Sequence, residues 1–280
     1  MDSWAKGHLL ERLDTLPPLP AVARELEHVL ADRNSTAVDV ARLIEKEPGI
    51  ASRVLRLANS AYFAVPGGVG DLKRAVSVLG FSAIHQLVLC VLTYHMLERS
   101  LQVPRALFAH AQAVSALTVS VAARLHQSLH VAAFTAGLLH DLGRLAIAAV
   151  APEPYRAFEA AVARGAEPTL ELEAEYFGHD HQEVGRIVGE SWGFPPVIVA
   201  VLSDHHGPGT TEDREAQELS DLVAAADDWA WRLGRPGVPS ATETEGRLHP
   251  VRAKRLGLDP GLSSKEKQML QRSIQSAALY

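Results

Sequence analysis

The apolar positions of this chain recur every three or four residues, which is the period of an amphipathic helix. The first clear example predicts a helix from Ala21 to Ala31. Its apolar positions are Val22, Leu26, Val29 and Leu30. Stretches in which β-branched or aromatic residues alternate with polar ones, which are typical of strands, are almost absent. The pattern therefore predicts an all-α fold.

Capping and turn residues divide the chain into successive predicted helices. Ser35 or Thr36 is expected to cap the second helix, and Asp71 a later one. A long apolar helix is expected after Gly80, and Pro104 begins a second group. The predicted helices of that group span 104–126, 131–149, 152–165, 169–176, 180–192, 195–205 and 213–233.

The C-terminal region has a different composition. Residues 235–262 contain prolines, glycines and a Ser-Ala-Thr-Glu-Thr-Glu run, so this stretch is predicted to be a loose connector. A short final helix is expected near 265–277. The basic residues Arg252, Lys254 and Arg255 form a cluster that is too small to indicate a nucleic-acid site.

Two stretches without a formal charge, Ala75–Leu97 and Ala106–Ala123, are long enough to cross a bilayer. Both contain several polar side chains, among them His85, Gln86 and His110. They are therefore predicted to be buried helices of a soluble protein. Charged residues interrupt the N-terminal segment, so no signal peptide is expected. The predicted location is the cytoplasm, without membrane association.

The composition is that of an ordinary globular protein. The 280 residues include 27 basic and 33 acidic side chains, giving a formal charge of −6, and 47% of the residues are hydrophobic. These values exclude an intrinsically disordered chain. The negative charge disfavours nucleic acid as a partner. The single cysteine, Cys90, excludes a disulfide scaffold within the chain.

The histidines are the informative polar residues. His140 and Asp141 lie within the predicted helix Ala132–Val150, among glycine and leucine residues. An isolated buried carboxylate is costly, so Asp141 needs a partner. Adjacent helical residues point about 100° apart. Both side chains can therefore reach one site only if it lies beside the helix and other helices close it.

Candidate residues to close such a site occur on other predicted helices. They are His110, His181, His205, His206 and Asp227. Imidazole and carboxylate ligands suit Mn, Fe, Zn or Mg, and such clusters can hold one ion or two about 3.5–4 Å apart. Spacing cannot show convergence, and taken one by one these residues are typical of hydrogen-bonded core or capping residues. Glu173 and Glu175 are predicted to lie on a solvated helix face, with Glu175 available to support a ligand histidine.

One segment resembles the signature of the HD superfamily of metal-dependent phosphohydrolases. It is Gly137–Leu145, with the sequence GLLHDLGRL. More specifically, the ordered set of motifs over about residues 12–235 resembles the HDOD domain, the HD-related output domain of bacterial signalling proteins. The other motifs are LPPLP at 16–20, EPGI at 47–50, LANSAYF at 57–63, AVSVLGF at 75–81, FGHDHQEVG at 177–185, WGFP at 192–195, HH at 205–206 and AD at 226–227.

This resemblance implies a domain organisation. It implies an all-α fold in which an N-terminal helical lobe, residues 1–100, packs on an HD-like helical bundle, residues 101–235. Residues 236–280 are then a loose connector with a short C-terminal tail helix. It also implies a regulatory role in signal transduction, often without catalysis.

The resemblance also implies a set of metal ligands. The HD ligand positions map onto His110, His140, Asp141, His181, His205, His206 and Asp227. The Gly-Tyr-Pro motif of the related cyclic-di-GMP phosphodiesterases is missing, because Gly207–Thr211 takes its place. Ala106 stands where those relatives can carry an acidic ligand, which disfavours a third metal. Arg144 replaces the lysine that commonly follows the HD pair.

Two functions follow as hypotheses. The first is a non-enzymatic signalling output module that binds a partner protein or a small nucleotide-type ligand and retains a divalent metal site. The alternative is a metal-dependent phosphohydrolase acting on a nucleotide or cyclic nucleotide. In that case Asp141 bridges the ions and Arg144 neutralises the phosphate. The metal, ligand, partner and oligomeric state stay open at this point.

Overall fold

The protein is described by a computed structural model for residues 8–60, 63, 65–98, 103–125, 130–239, 248–258 and 264–276. Within these ranges the chain forms helices and no strand, so the predicted all-α fold is confirmed. The first six described helices lie between His8 and Glu98. They are α1 (His8–Leu13), α2 (Ala21–Ala31), α3 (Ala37–Glu45), α4 (Pro48–Ala58), α5 (Leu72–Leu79) and α6 (Phe81–Glu98).

The helix starts in this group follow the sequence signals. Asp71 caps α5, since its carboxylate accepts a hydrogen bond of 2.7 Å from the backbone N–H of Arg74. At α3 the capping residue is Thr36 rather than Ser35. Its hydroxyl accepts from the Asp39 backbone N–H, and the Asp39 carboxylate accepts from the Thr36 backbone N–H at 2.9 Å. This reciprocal pair is a capping box.

The Thr36→Ala variant is expected to lower the free energy of unfolding by about 1 kcal/mol, because the α3 cap is lost. Urea denaturation followed by circular dichroism measures the change. Ser35→Ala is the matched control, since the capping oxygen belongs to Thr36. Equal losses in the two variants would contradict the assignment of the cap.

The second group of helices carries the candidate site. Its members are α7 (Arg105–Leu125), α8 (His130–Leu139), α9 (Leu142–Val150), α10 (Pro152–Ala163), α11 (Leu170–Phe177), α12 (His181–Ser191), α13 (Pro196–Ser203) and α14 (Arg214–Arg232). Helix α7 packs against α8 and α14, while α12 packs against α9 and α13. The N-terminal group packs on this one through α1 against α9 and α6 against α8. The domain boundaries at residues 100 and 235 stay a prediction.

The predicted continuous helix through His140 and Asp141 is wrong. Helix α8 ends at Leu139, α9 begins at Leu142, and the two residues between them form a turn. Asp141 has φ −93° and ψ 24°, outside the helical region. The turn lets neighbouring side chains face one site, which a regular helix would separate by about 100°.

Glycine lets α9 approach α12 closely beside this turn. A Cβ atom on Gly143 would lie 1.9 Å from the backbone oxygen of His181. No side chain fits at that distance. Gly143 therefore brings the His140–Asp141 turn against the start of the helix that begins with His181.

The prediction of a loose connector over 235–262 is also wrong in part. A helix, α15 (Pro250–Leu256), forms within it, and a final helix, α16 (Ser264–Ser276), follows close to its predicted position. The reason is an acidic partner on α14. Asp221 accepts 2.7 Å hydrogen bonds from Arg252 Nη1 and Arg255 Nη2, so these two arginines of the basic cluster are paired within the protein.

Two described segments, Arg105–Ala123 and Val131–Val150, are long and apolar enough to cross a membrane by length and composition. Their most apolar windows are 67% and 94% buried inside the protein, as expected for core helices. The uncharged stretch predicted at 106–123 coincides with the first segment. The cytoplasmic location stays a prediction.

Candidate metal centre

All seven residues predicted as ligands lie together. They come from five parts of the bundle: His110 from α7, His140 and Asp141 from the turn before α9, His181 from α12, His205 and His206 from the loop after α13, and Asp227 from α14. Their candidate ligand atoms form two groups, each with all members within 4.8 Å of one another. One group is Asp141, His181, His205 and His206, and the other is His110, His140 and Asp227.

Asp141 lies between the two groups. Its Oδ2 atom is 3.6 Å from His110 Nε2 and 3.5 Å from His140 Nε2. Its Oδ1 atom is 3.4 Å from His181 Nε2 and 3.7 Å from His205 Nε2. One carboxylate therefore faces four imidazoles, two with each oxygen.

The outer nitrogens of these four rings are held by oxygen acceptors. His110 Nδ1 lies 2.7 Å from the Arg235 carbonyl, and His140 Nδ1 lies 2.9 Å from that of Gly137. His205 Nδ1 contacts the Val201 carbonyl in the same way, at 2.9 Å. An acceptor at Nδ1 requires the proton there, so in a neutral ring the Nε2 lone pair points into the site.

His181 is oriented by a carboxylate instead of a carbonyl. Its Nδ1 lies 2.5 Å from Glu173 Oε2, and its backbone N–H donates to the same oxygen at 2.9 Å. The other Glu173 oxygen accepts from Arg144 Nε at 2.7 Å. Such carboxylate–histidine pairs fix the tautomer of a ligand ring and raise its basicity.

The prediction for the two glutamates is therefore wrong for Glu173. This side chain is fully buried, whereas Glu175 is exposed. The α11 helix turns Glu173 inward because Arg144 and His181 satisfy its charge there. The sequence carries no signal for this contact, which joins positions eight residues apart across a loop.

Arg144 is buried and paired with two carboxylates. It contacts Asp141 Oδ2 at 3.0 Å through Nη1 in addition to Glu173 through Nε. The guanidinium therefore holds Asp141 through Oδ2, the oxygen that also faces His110 and His140. Its predicted role toward a phosphate stays a prediction.

The electrostatics of the centre leave the carboxylates charged. Burial alone would raise the pKa of Asp141, but the charges of Arg144 and His140 hold that pKa well below its usual range. Burial also opposes ionisation of Asp227, whose pKa is nevertheless lowered by the hydrogen bond with His110. Ionised carboxylates beside imidazole lone pairs form an electron-rich centre.

The pKa values of the buried histidines are shifted in two directions. Burial lowers the pKa of His140 to about 4 and lowers the pKa values of His205 and His206 as well. Burial acts on His110 in the same direction, but the hydrogen bond and charge of Asp227 outweigh it and raise the pKa of His110. His110 Nε2 and Asp227 Oδ1 are 3.1 Å apart.

A divalent metal fits this donor set. Two ligand atoms that share one ion at about 2.1 Å lie about 3.0–3.4 Å apart. His181 Nε2 and His205 Nε2 are 3.1 Å apart, and His140 Nε2 and His110 Nε2 are 3.3 Å apart. Asp141 Oδ1 and His206 Nε2 are among the buried polar atoms of the described residues that have no hydrogen-bond partner. The cluster could therefore hold a metal ion.

A short segment after α14 covers the centre. We call residues 235–239 the strap. A Cβ atom on Gly237 would lie 3.0 Å from His110 Cδ2 and 3.4 Å from Asp141 Oδ2. Gly237 and Val238 are buried, whereas Arg235 and Pro239 at its ends are exposed. The strap carries no signal in the sequence, because Pro-Gly-Val-Pro contains no metal-ligating residue type.

Comparison with known proteins decides the family. The HDOD domain matches residues 16–208, which is more than half of the chain. This chain belongs to the HDOD family. The match stops before Asp227, so this ligand candidate and the strap lie beyond the part of the HDOD chain that the family match covers.

Solved structures share the fold over nearly the whole HDOD chain. A crystal structure from Shewanella amazonensis SB2B, provisionally named a phosphohydrolase, is 27% identical, has a TM-score of 0.71 and covers 98% of each chain. An HDOD protein of unknown function from Geobacter sulfurreducens is 21% identical, with a TM-score of 0.71 and 97% of each chain covered. A protein from Marinobacter aquaeolei VT8, provisionally named for signal transduction, is 24% identical, with a TM-score of 0.66, 95% of this chain and 58% of that chain covered.

A curated relative is longer than this HDOD chain. It is an uncharacterized protein of Treponema pallidum (strain Nichols), 24% identical over 220 residues. The match covers 78% of this chain and 42% of that relative. The chain thus spans less than half of the length of the relative.

Proposed function

We propose that this HDOD protein is a signalling output module that binds one or two divalent metal ions at the His/Asp centre without hydrolysing a phosphoester. One observation carries the proposal: six of the seven candidate ligands are buried, with only His206 half-buried, and the strap lies against His110 and Asp141. The side chains of His110, His140, His181 and His205 are fully buried, and those of Asp141 and Asp227 are only 2% and 4% exposed. A phosphoester would need access to these same atoms.

Each of the two groups of candidate ligands would hold one ion. His181, His205, His206 and Asp141 Oδ1 would hold one ion, and His110, His140, Asp227 and Asp141 Oδ2 a second. Each bound ion would neutralise the carboxylates and satisfy the imidazole lone pairs. Arg144 and Glu173 keep Asp141 and His181 in position. The output of such a module is a contact with a partner protein or a small ligand.

The alternative is a metal-dependent phosphohydrolase. It is favoured by the placement of Asp141 between the two groups, since a pair of ions can clamp a phosphoryl group and supply a hydroxide. The Shewanella neighbour that is provisionally named a phosphohydrolase shares the fold at 27% identity. Hydrolysis would require the strap to move, because Gly237 lies against His110 and Asp141.

Elemental analysis and a hydrolysis screen separate these functions. The protein is purified without chelator or histidine tag, beside His140→Ala and Asp141→Ala variants whose folding is checked by circular dichroism. We expect about one or two equivalents of Mn, Fe or Zn in the wild type, less in both variants, and no turnover of bis-p-nitrophenyl phosphate or cyclic dinucleotides. Turnover that rises with metal content and is lost in His140→Ala would establish the hydrolase. No metal after incubation with Mn²⁺ or Fe²⁺ would overturn both functions.

A further inference from the structure

We propose that the strap is the element that reports metal occupancy of the centre: a bound ion holds residues 235–239 down, and loss of the ion releases them. This inference rests on the proposed function, because it requires that the centre binds a metal. It adds a regulatory output that lies in the C-terminal part of the chain, outside the matched HDOD range.

His110 joins the strap to the centre. Its Nε2 atom faces Asp227 and Asp141 at 3.1 and 3.6 Å, while its Nδ1 atom lies 2.7 Å from the carbonyl of Arg235, the first strap residue. An ion bound at Nε2 polarises the imidazole and makes Nδ1–H a stronger donor. Metal binding at one nitrogen therefore strengthens the bond that the other nitrogen makes to the strap.

Asp227 connects the strap to the centre through the backbone. It lies on α14, which ends at Arg232 and is followed by Gly234 at φ 72°. Beyond Gly234 the strap returns to the centre, where it contacts His110 and Asp141. Without an ion, Asp141 Oδ1 is buried without a hydrogen-bond partner and faces the Nε2 atoms of His181 and His205, which is unfavourable. Helices α7 and α14 pack together and carry His110 and Asp227, so relief of this repulsion is expected to move them apart. The strap follows α14 and is bonded to α7 through His110, so it should loosen as they move.

The loop that carries His205 and His206 is also hydrogen-bonded to the C-terminal region. Arg252 of α15 is fully buried and donates hydrogen bonds to the carbonyl oxygens of Gly207 and His206, at 2.8 and 3.1 Å. It pairs with Asp221 at 2.7 Å. The loop that carries His205 and His206 is thus fixed to α15. Helix α14, before the strap, thus carries the candidate ligand Asp227, and α15, after the strap, is bonded to the loop of His205 and His206.

Thiol labelling measures the position of the strap directly. Val238 is fully buried, so a Val238→Cys variant carries its thiol beneath the closed strap. The protein is treated with N-ethylmaleimide with and without Mn²⁺, and labelling at each thiol is followed by peptide mass spectrometry. We expect bound Mn²⁺ to slow labelling of the introduced thiol at least tenfold. A Val238→Cys rate that is unchanged although Mn²⁺ is bound would overturn the inference.

The chain supplies the controls for this experiment. Cys90 is buried and the pKa of its thiol is raised to about 12 by burial, so it labels only when the protein unfolds. A Val251→Cys variant, at a residue that is 44% exposed, should label at one rate with or without Mn²⁺. Adding His140→Asn to Val238→Cys should remove the Mn²⁺ effect. If Mn²⁺ does not bind at all, the proposed function fails first, and elemental analysis shows this separately.

A second variant tests the coupling in the reverse direction. Gly237→Ala places a methyl group 3.0 Å from His110 Cδ2, so the strap must lift slightly to accommodate it. We expect Mn²⁺ to dissociate several-fold faster into a chelator than from the wild type. Gly49→Ala is the matched control, since no atom lies within 4 Å of its new methyl group. Identical Mn²⁺ dissociation from all three proteins would contradict the coupling.

Discussion

The Asp141→Asn variant will lose the metal, so that bound Mn falls from about one or two equivalents to less than about a tenth of an equivalent. Each Asp141 oxygen faces two imidazoles, and Asp141 is the one carboxylate shared by both ligand groups in the described residues. The Asn amide offers one neutral oxygen, which is a weaker metal ligand than a carboxylate oxygen. Its NH₂ group is a hydrogen-bond donor and cannot coordinate a metal ion. Elemental analysis after gel filtration in Mn²⁺-free buffer measures the loss.

Asp228→Asn is the matched control for this variant. Asp228 is also buried, at 2% exposure, but its carboxylate pairs with Arg232 at 2.8 Å instead of facing the histidines. It should retain the wild-type metal content even if it lowers stability. Loss of metal from both variants would mean that any buried charge change disrupts the bundle, and the assignment of Asp141 would fail.

Thermal denaturation gives a second measure of the same prediction. A ligand that binds only the folded state at 100 times its Kd stabilises the protein by about 2.7 kcal/mol. Mn²⁺ should therefore raise the Tm of the wild type by several degrees and leave that of Asp141→Asn unchanged. An equal shift in both proteins would indicate that Mn²⁺ binds elsewhere.

The second large effect is expected at Glu173. Glu173→Ala will lower the free energy of unfolding of the metal-free protein by about 3–5 kcal/mol, because it breaks a buried pair and leaves Arg144 with Asp141 alone. It also leaves the His181 Nδ1 and backbone N–H without their acceptor. Urea denaturation measures the loss. The exposed Glu175→Ala variant should change stability by less than about 0.5 kcal/mol.

Metal affinity distinguishes a positioning role of Glu173 from a purely structural one. Removing such a supporting carboxylate typically lowers metal affinity 10–100-fold. Competition with a fluorescent chelator should therefore show weaker Mn²⁺ binding for Glu173→Gln, which keeps the side-chain size. Unchanged affinity in a folded Glu173→Gln variant would restrict the residue to stability.

The sequence predicted the helices and the residues that converge at the centre, because both depend on local pattern or on motif. Their role as metal ligands stays a prediction. Asp71, Pro104 and the three- and four-residue apolar spacing locate helix boundaries without knowledge of tertiary contacts. The small residues around Asp227 and the HD signature around His140 similarly mark buried acids. Buried acidic residues that lie within or beside a motif can thus be predicted from the sequence.

Contacts between helices that are distant in sequence could not be predicted from local pattern or motif. The turn at His140 and Asp141 is stabilised by packing against α12, so helical propensity alone extends α8 through it. Local pattern predicts a solvated helix face for Glu173 and a loose connector around Arg252. Each is buried because a partner from another helix, Arg144 or Asp221, compensates its charge.

The wide separation of the ligands along the chain has a kinetic consequence. The residues from His110 to Asp227 contribute through five separate parts of the bundle, so a bound ion cross-links helices that are distant in sequence. Global unfolding must break these cross-links before the helices separate. The ion should therefore lengthen the half-life of the folded chain, which makes survival time under protease the property in which metal loading is most visible.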